Sequence, residues 1–167
     1  MRLKVRQDGD PCLRIKSKPL KDITSAQRML FKAMFEAMYD NQGVGLAAPQ
    51  VGINERFFVV DIGEGTDPFV VVNPQILEVK GECVMAEGCL SVKDRTVAIK
   101  RPKEILVRYT TEENIEVEQR HRDLMARVFL HEIDHLDGKL ILDYAILPEN
   151  IAYQKSSKSK TAHREQL

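Results

Sequence analysis

The sequence predicts an α+β fold: antiparallel β-sheets packed around a central helix, with a further helix near the N-terminus. Three observations predict it. A capped stretch of helical apolar period lies early (25–40), a second helical stretch lies late (122–136), and short β-type segments separated by turn signals run between them. The first 20 residues carry Pro11 and Pro19 and are read as extended and irregular. Thr24 with Gln27 forms a capping box for the first helix, whose apolar stripe takes in Met29, Leu30, Ala33, Met34, Ala37 and Met38. Methionines at that spacing are core filling. A small-residue loop from Gly43 to Gln50 follows, and strands are expected at 56–62, 69–72, 75–80, 96–100, 104–110 and 115–119. The second helix ends near Asp137-Gly138, and 140–144 reads as a short terminal strand.

At 167 residues the chain is long enough for one proper core, here divided as a single domain over 1–147 and a polar, mildly basic tail over 148–167. Its 25 basic and 25 acidic residues balance, so nothing global argues for a nucleic-acid or membrane partner. No apolar run approaches the ~20 residues a membrane span needs, and the first residues lack the apolar centre of a signal peptide. A cytoplasmic location is therefore expected, with no direct DNA binding and no membrane association. Three cysteines, Cys12, Cys83 and Cys89, are too few and odd in number for a disulfide framework. In a reducing compartment a conspicuous cysteine reads as a metal ligand or nucleophile.

The late helix carries His131-Glu132-Ile133-Asp134-His135. Positions i and i+4 share a helix face, so both imidazoles can grip one cation, and Glu132 can reach a water on it as a general base. Leu124 and Val128 precede His131 by seven and three residues on the same face and can wall an apolar pocket. A third ligand decides the class. Downstream stand Glu149, after Pro148, and His163 in the polar tail; upstream, Cys89 would complete a Cys-His-His set with an open position, as catalytic centres have. A small HExxH peptidase would need a downstream ligand and could spare Cys89. A non-catalytic binder would have no use for Glu132.

The segments GVGLAAPQ (43–50), EGCLS (87–91) and HEIDHLDG (131–138) resemble, in order and spacing, the three motifs of peptide deformylases, over about residues 1–145. The resemblance implies a hydrolase that removes the N-formyl group from the initiator methionine of nascent chains, releasing formate. It implies one divalent metal, natively Fe²⁺ and exchangeable with Zn²⁺, Ni²⁺ or Co²⁺, on Cys89, His131 and His135. Glu132 becomes general base and acid, and the Gln50 amide and Leu90 N–H become donors to the formyl oxygen. One such donor is typically worth ~3–4 kcal/mol in the transition state. Gly45 would lie along the substrate's path, its missing Cβ permitting close approach. Val44, Leu124 and Val128 would line the methionine pocket.

The chain also departs from the family pattern. Leu130 stands where a Gln is usual; about 100° of helix rotation turns it away from the metal. Lys93 and Thr96 replace a usual Pro and Arg, with Arg95 one place early. In a regular strand such a shift reverses the face, so Arg95 is not expected to stand in for a substrate-positioning arginine. Segment 153–167 keeps basic charge without an apolar stripe, which supports only weak ribosome contact.

Overall fold

The computed structural model describes residues 1–63, 65–145 and Leu167; apart from Leu167, the tail expected at 148–167 lies outside the described residues. Helix α1 runs Ser25–Asp40, with Thr24 as its N-cap accepting from the Gln27 N–H. It buries Phe31, Met34, Ala37 and Met38, but Met29, expected in that stripe, is 69% exposed. Strands β1 (Gly45–Ala47), β2 (Phe57–Val60), β3 (Phe69–Lys80), β6 (Glu104–Thr110) and β7 (Glu116–Arg122) form one antiparallel sheet, in the order β1-β2-β3-β6-β7. Strands β4 (Cys83–Cys89) and β5 (Val92–Arg101) form a separate hairpin. Helix α2 spans Asp123–Leu136 and stops at Asp137, followed by Gly138 at φ 74°.

Alternation along β2 and β3 places the two helices. Phe57, Val59, Val70 and Val72 pack with α1, whereas Phe58, Val60 and Val71 pack with Val128, Phe129 and Leu136 of α2. The sheet is therefore buried on both faces at its centre, which is why these strands read as near-continuous apolar runs. Phe129 meets Phe58 edge-on at 5.2 Å between ring centroids. A third apolar cluster, including Leu13, Val97, Ile99, Leu140 and Ile141, backs Cys89 from the hairpin side.

Several elements differ from the sequence-based expectation. The stretches 69–72 and 75–80 are one strand: Pro74 offers no N–H, and the ladder absorbs it as a bulge at Asn73, φ 51°. Asn73 Oδ1 accepts from Leu20 N–H and its Nδ2 donates to Leu20 O, so the bulge docks the N-terminal segment. Gly45–Ala47 and Cys83–Cys89 are strands that were not expected, and Ile141–Asp143 is a 3-10 turn rather than a strand. There the Asp143 carboxylate accepts from the Leu140 N–H. Lys93–Thr96 lie in β5 at an irregularity of its pairing: Glu87 pairs with Val97 and Cys89 with Val92, so residues 93–96, all exposed, bulge opposite Gly88. The bulge lies within β5 and interrupts the regular alternation on which the strand-face argument for Arg95 relies.

Candidate metal centre

Cys89 ends β4, and His131 and His135 lie one turn apart on α2. The fold brings the three together, fully buried, with their ligand atoms all within 4.8 Å of one another. His135 Nε2 lies 3.3 Å from Cys89 Sγ and 3.1 Å from His131 Nε2. A tetrahedral ion with bonds of ~2.0–2.3 Å would set such ligand atoms ~3.3–3.6 Å apart, so the donor set fits one cation after small adjustment. The chemistry of the set agrees: thiolate and imidazole suit iron, zinc, nickel and cobalt rather than magnesium or calcium.

Glu87, two residues before Cys89 and on the same strand face, orients the site. Its Oε1 lies 2.9 Å from His131 Nδ1, which turns that imidazole's Nε2 toward the cluster. Arg101 donates to both Glu87 oxygens at 2.7 and 2.8 Å, and Arg127 donates to Oε2 at 2.5 Å. Burial alone would raise the Glu87 pKa, but the hydrogen bonds from Arg101 and His131 outweigh it and hold the carboxyl at about 2. Burial pushes the Cys89 thiol up to about 12 and the His135 imidazole well below its ordinary value. A bound cation reverses that logic, because it favours thiolate and neutral imidazole.

Glu132 is fully buried, and neither carboxylate oxygen has a hydrogen-bond partner among the described residues. Burial, reinforced by the Glu87 charge, raises its pKa well above the ordinary carboxylate range. The glycine at position 45 makes room for it: a Cβ there would stand 2.5 Å from Glu132 Oε1. Its bare backbone accommodates this carboxylate.

Gln50 is fully buried in the turn after β1. Its Oε1 accepts from Ala47 N–H at 2.9 Å, and its Nε2 donates to Ser91 Oγ at 3.1 Å with Cys89 Sγ at 3.8 Å. Leu90 N–H donates at 3.3 Å to the carbonyl oxygen of Leu167. Leu167 itself is buried and lines a cavity of about 420 Å³ beside the site, with Val44, Ile62, Met85, Leu124 and Arg127. Val128, expected beside Val44 and Leu124, is fully buried in the apolar cluster that also takes in those two residues. The sequence reading missed Glu87, Ser91, Arg101 and Arg127. Two of them carried a legible signal: Glu87 opens the EGCLS segment at strand period 2 from Cys89, and Arg127 precedes His131 by one helical turn.

One sulfur and two imidazoles converging on a point, beside a buried carboxylate without a partner, belong to a mononuclear metallohydrolase. Comparison with known proteins narrows the class. The polypeptide deformylase family model matches residues 2–150, and the chain belongs to the peptide deformylase family. It is 44% identical to the peptide deformylase of Halothermothrix orenii over 144 residues, covering 86% of this chain and 94% of that one. The crystal structure of peptide deformylase from Thermotoga maritima superposes with a TM-score of 0.82 at 45% identity, covering 86% of this chain and 97% of that one. A Met-Ala-Ser-bound crystal structure of the class I type b enzyme from Acinetobacter baumannii gives 0.80 at 32% identity, covering 86% and 98%. The chain is accordingly a metal-dependent hydrolase that removes the formyl group from nascent polypeptides. No helix among the described residues is long and apolar enough to cross a membrane.

Proposed function

We propose that the chain deformylates N-formylmethionyl peptides in the cytoplasm, where nascent chains emerge, with Cys89, His131 and His135 as ligands and Glu132 as the proton-transfer group. Fe²⁺ is the proposed native ion, with Ni²⁺, Co²⁺ or Zn²⁺ able to replace it, in keeping with the mixed sulfur and nitrogen donors. A divalent ion held there lowers the pKa of water and polarises a carbonyl. Glu132 takes the proton from the attacking water as its oxygen bonds to the formyl carbon. The C–N bond then breaks, formate leaves, and the proton passes from Glu132 to the departing amine. The Glu132 carboxylate oxygens, buried and without a hydrogen-bond partner among the described residues, are free to take and return that proton.

Leu90 N–H and the Gln50 amide are the proposed donors to the formyl oxygen. Gln50 Nε2 reaches substrate by giving up its longer contact, the 3.8 Å one to Cys89, while Ser91 and Ala47 keep the amide oriented. Leu167 lends support, since its carbonyl oxygen sits on Leu90 N–H while the residue lies against the cavity proposed for the methionine side chain. The Acinetobacter baumannii relative with bound Met-Ala-Ser supports a peptide of that kind as ligand. Val44 and Leu124 are the proposed apolar walls, with Met85 and Ile62 beside them.

The observation that carries this reading is the fully buried Glu132, without a hydrogen-bond partner among the described residues, next in sequence to a ligand of a Cys-His-His cluster. It is tested by formate release from formyl-Met-Ala-Ser with nickel-loaded protein. Wild type should release formate, Glu132→Ala should lose ~10²–10⁴-fold in kcat, and Cys89→Ala should lose metal. Peptide-bond cleavage with metal retained in Cys89→Ala would favour an HExxH peptidase instead.

A further inference from the structure

The metal site is assembled from two pieces of structure: α2 supplies both imidazoles and the β4–β5 hairpin supplies the thiol. Arg127 joins them. Its side chain is buried one turn before His131, and its Nη1 donates to Glu87 Oε2 at 2.5 Å and to Ile99 O of β5 at 3.0 Å. Its Nη2 donates to Cys83 O of β4 at 2.7 Å. One side chain thus bonds the metal-ligand helix to both strands of the hairpin and to the carboxylate that orients His131.

Charge balance gives Arg127 a second task. Arg101 serves two carboxylates, Glu87 and, at 2.9 Å, Asp134. With Arg127, Glu87 and the partly buried Asp134 face two guanidinium groups; without it, Arg101 alone serves both carboxylates beside the ligands. Removing one partner from a buried ion pair is strongly disruptive because the remaining charge stays desolvated. Groups that hold metal ligands in place typically contribute 10–100-fold to metal affinity.

We propose that Arg127 is a positioning residue that holds the two halves of the centre together and sets how tightly the metal is retained. Because Arg127 also lines the 420 Å³ cavity, it links the wall of the side-chain pocket to the metal ligands through Glu87. The inference rests on the reading of Cys89, His131 and His135 as metal ligands.

The test measures zinc release from zinc-loaded protein to a chromogenic chelator, with affinity from chelator competition and the melting temperature of each variant alongside. Arg127→Met should release zinc faster and bind it 10–100-fold more weakly. Arg127→Lys, which restores the charge but not the pair of carbonyl bonds, should recover part of that loss. Arg108→Met, whose side chain pairs with Glu118 of β7 and touches no group of the metal site, should match wild type. A lowered melting temperature with unchanged zinc affinity would reduce Arg127 to a structural role and overturn the inference. If Arg127→Met does not fold, Arg127→Lys decides: a loss of affinity of about threefold or more supports the inference, and wild-type affinity overturns it. Wild type that binds no zinc at one per chain would overturn the metal reading itself.

Discussion

Replacing Gly45 with alanine should cost activity through one collision. The added Cβ would stand 2.5 Å from Glu132 Oε1, 3.0 Å from its Cδ and 3.1 Å from its Cγ. Ordinary contact begins at 3.4 Å, so the carboxylate must withdraw by about 0.9 Å. Glu132 is fully buried in a close-packed interior, which leaves the displacement no slack. Misplacing a reacting group by ~1 Å typically costs ~10²-fold, and a general base contributes ~10²–10⁴-fold in all. We therefore expect Gly45→Ala to lower kcat about 100-fold with KM changed less than threefold. Formate release from formyl-Met-Ala-Ser is the assay, at matched metal content. A Gly45→Ala enzyme within threefold of wild-type kcat would refute the argument that this glycine exists to seat Glu132.

Two further outcomes are expected. Glu87 is held at about 2 in the fold against an ordinary 4.5, so its contribution is fully present above pH 4.5 and is lost as pH falls toward 2. That difference corresponds to about 3 kcal/mol. Urea unfolding of metal-free protein should show a steeper acid loss in wild type than in Glu87→Gln, and parallel curves would count against it. Leu167 engages Leu90 N–H and shares the cavity, so it competes with any substrate placed there. Deleting it should lower KM for formyl-Met-Ala-Ser and leave kcat unchanged, whereas an unaltered KM would show that the contact does not compete.

The helices and the metal-ligand types were legible in the chain because their signals are local. Apolar period and caps mark α1 and α2 within one or two residues of their ends, and i, i+4 spacing puts His131 and His135 on one face. Strands β1 and β4 were missed for a local reason too. Gly45-Leu46-Ala47 is too short and Cys83–Cys89 too mixed in polarity to declare a period of two, and pairing with β2 and β5 makes them strands. Pro74 announced a break that the β3–β6 ladder converts to a bulge.

The sequence by itself determined the class of chemistry: two imidazoles one helical turn apart, a carboxylate beside them, and a cysteine available as third ligand. Those are properties of residue type and spacing, and covalent connectivity conserves them. Only the tertiary structure decided which groups surround that chemistry. It seated Glu132 against Gly45, set Glu87 between Arg101, Arg127 and His131, and brought the Leu167 carbonyl to Leu90 N–H. Such contacts join residues far apart in the chain, and no local pattern encodes them. They exist because α2 packs on one face of β2 and β3 while the hairpin packs in a separate cluster with Leu13, Leu140 and Ile141, and the buried charges between helix and hairpin must find partners.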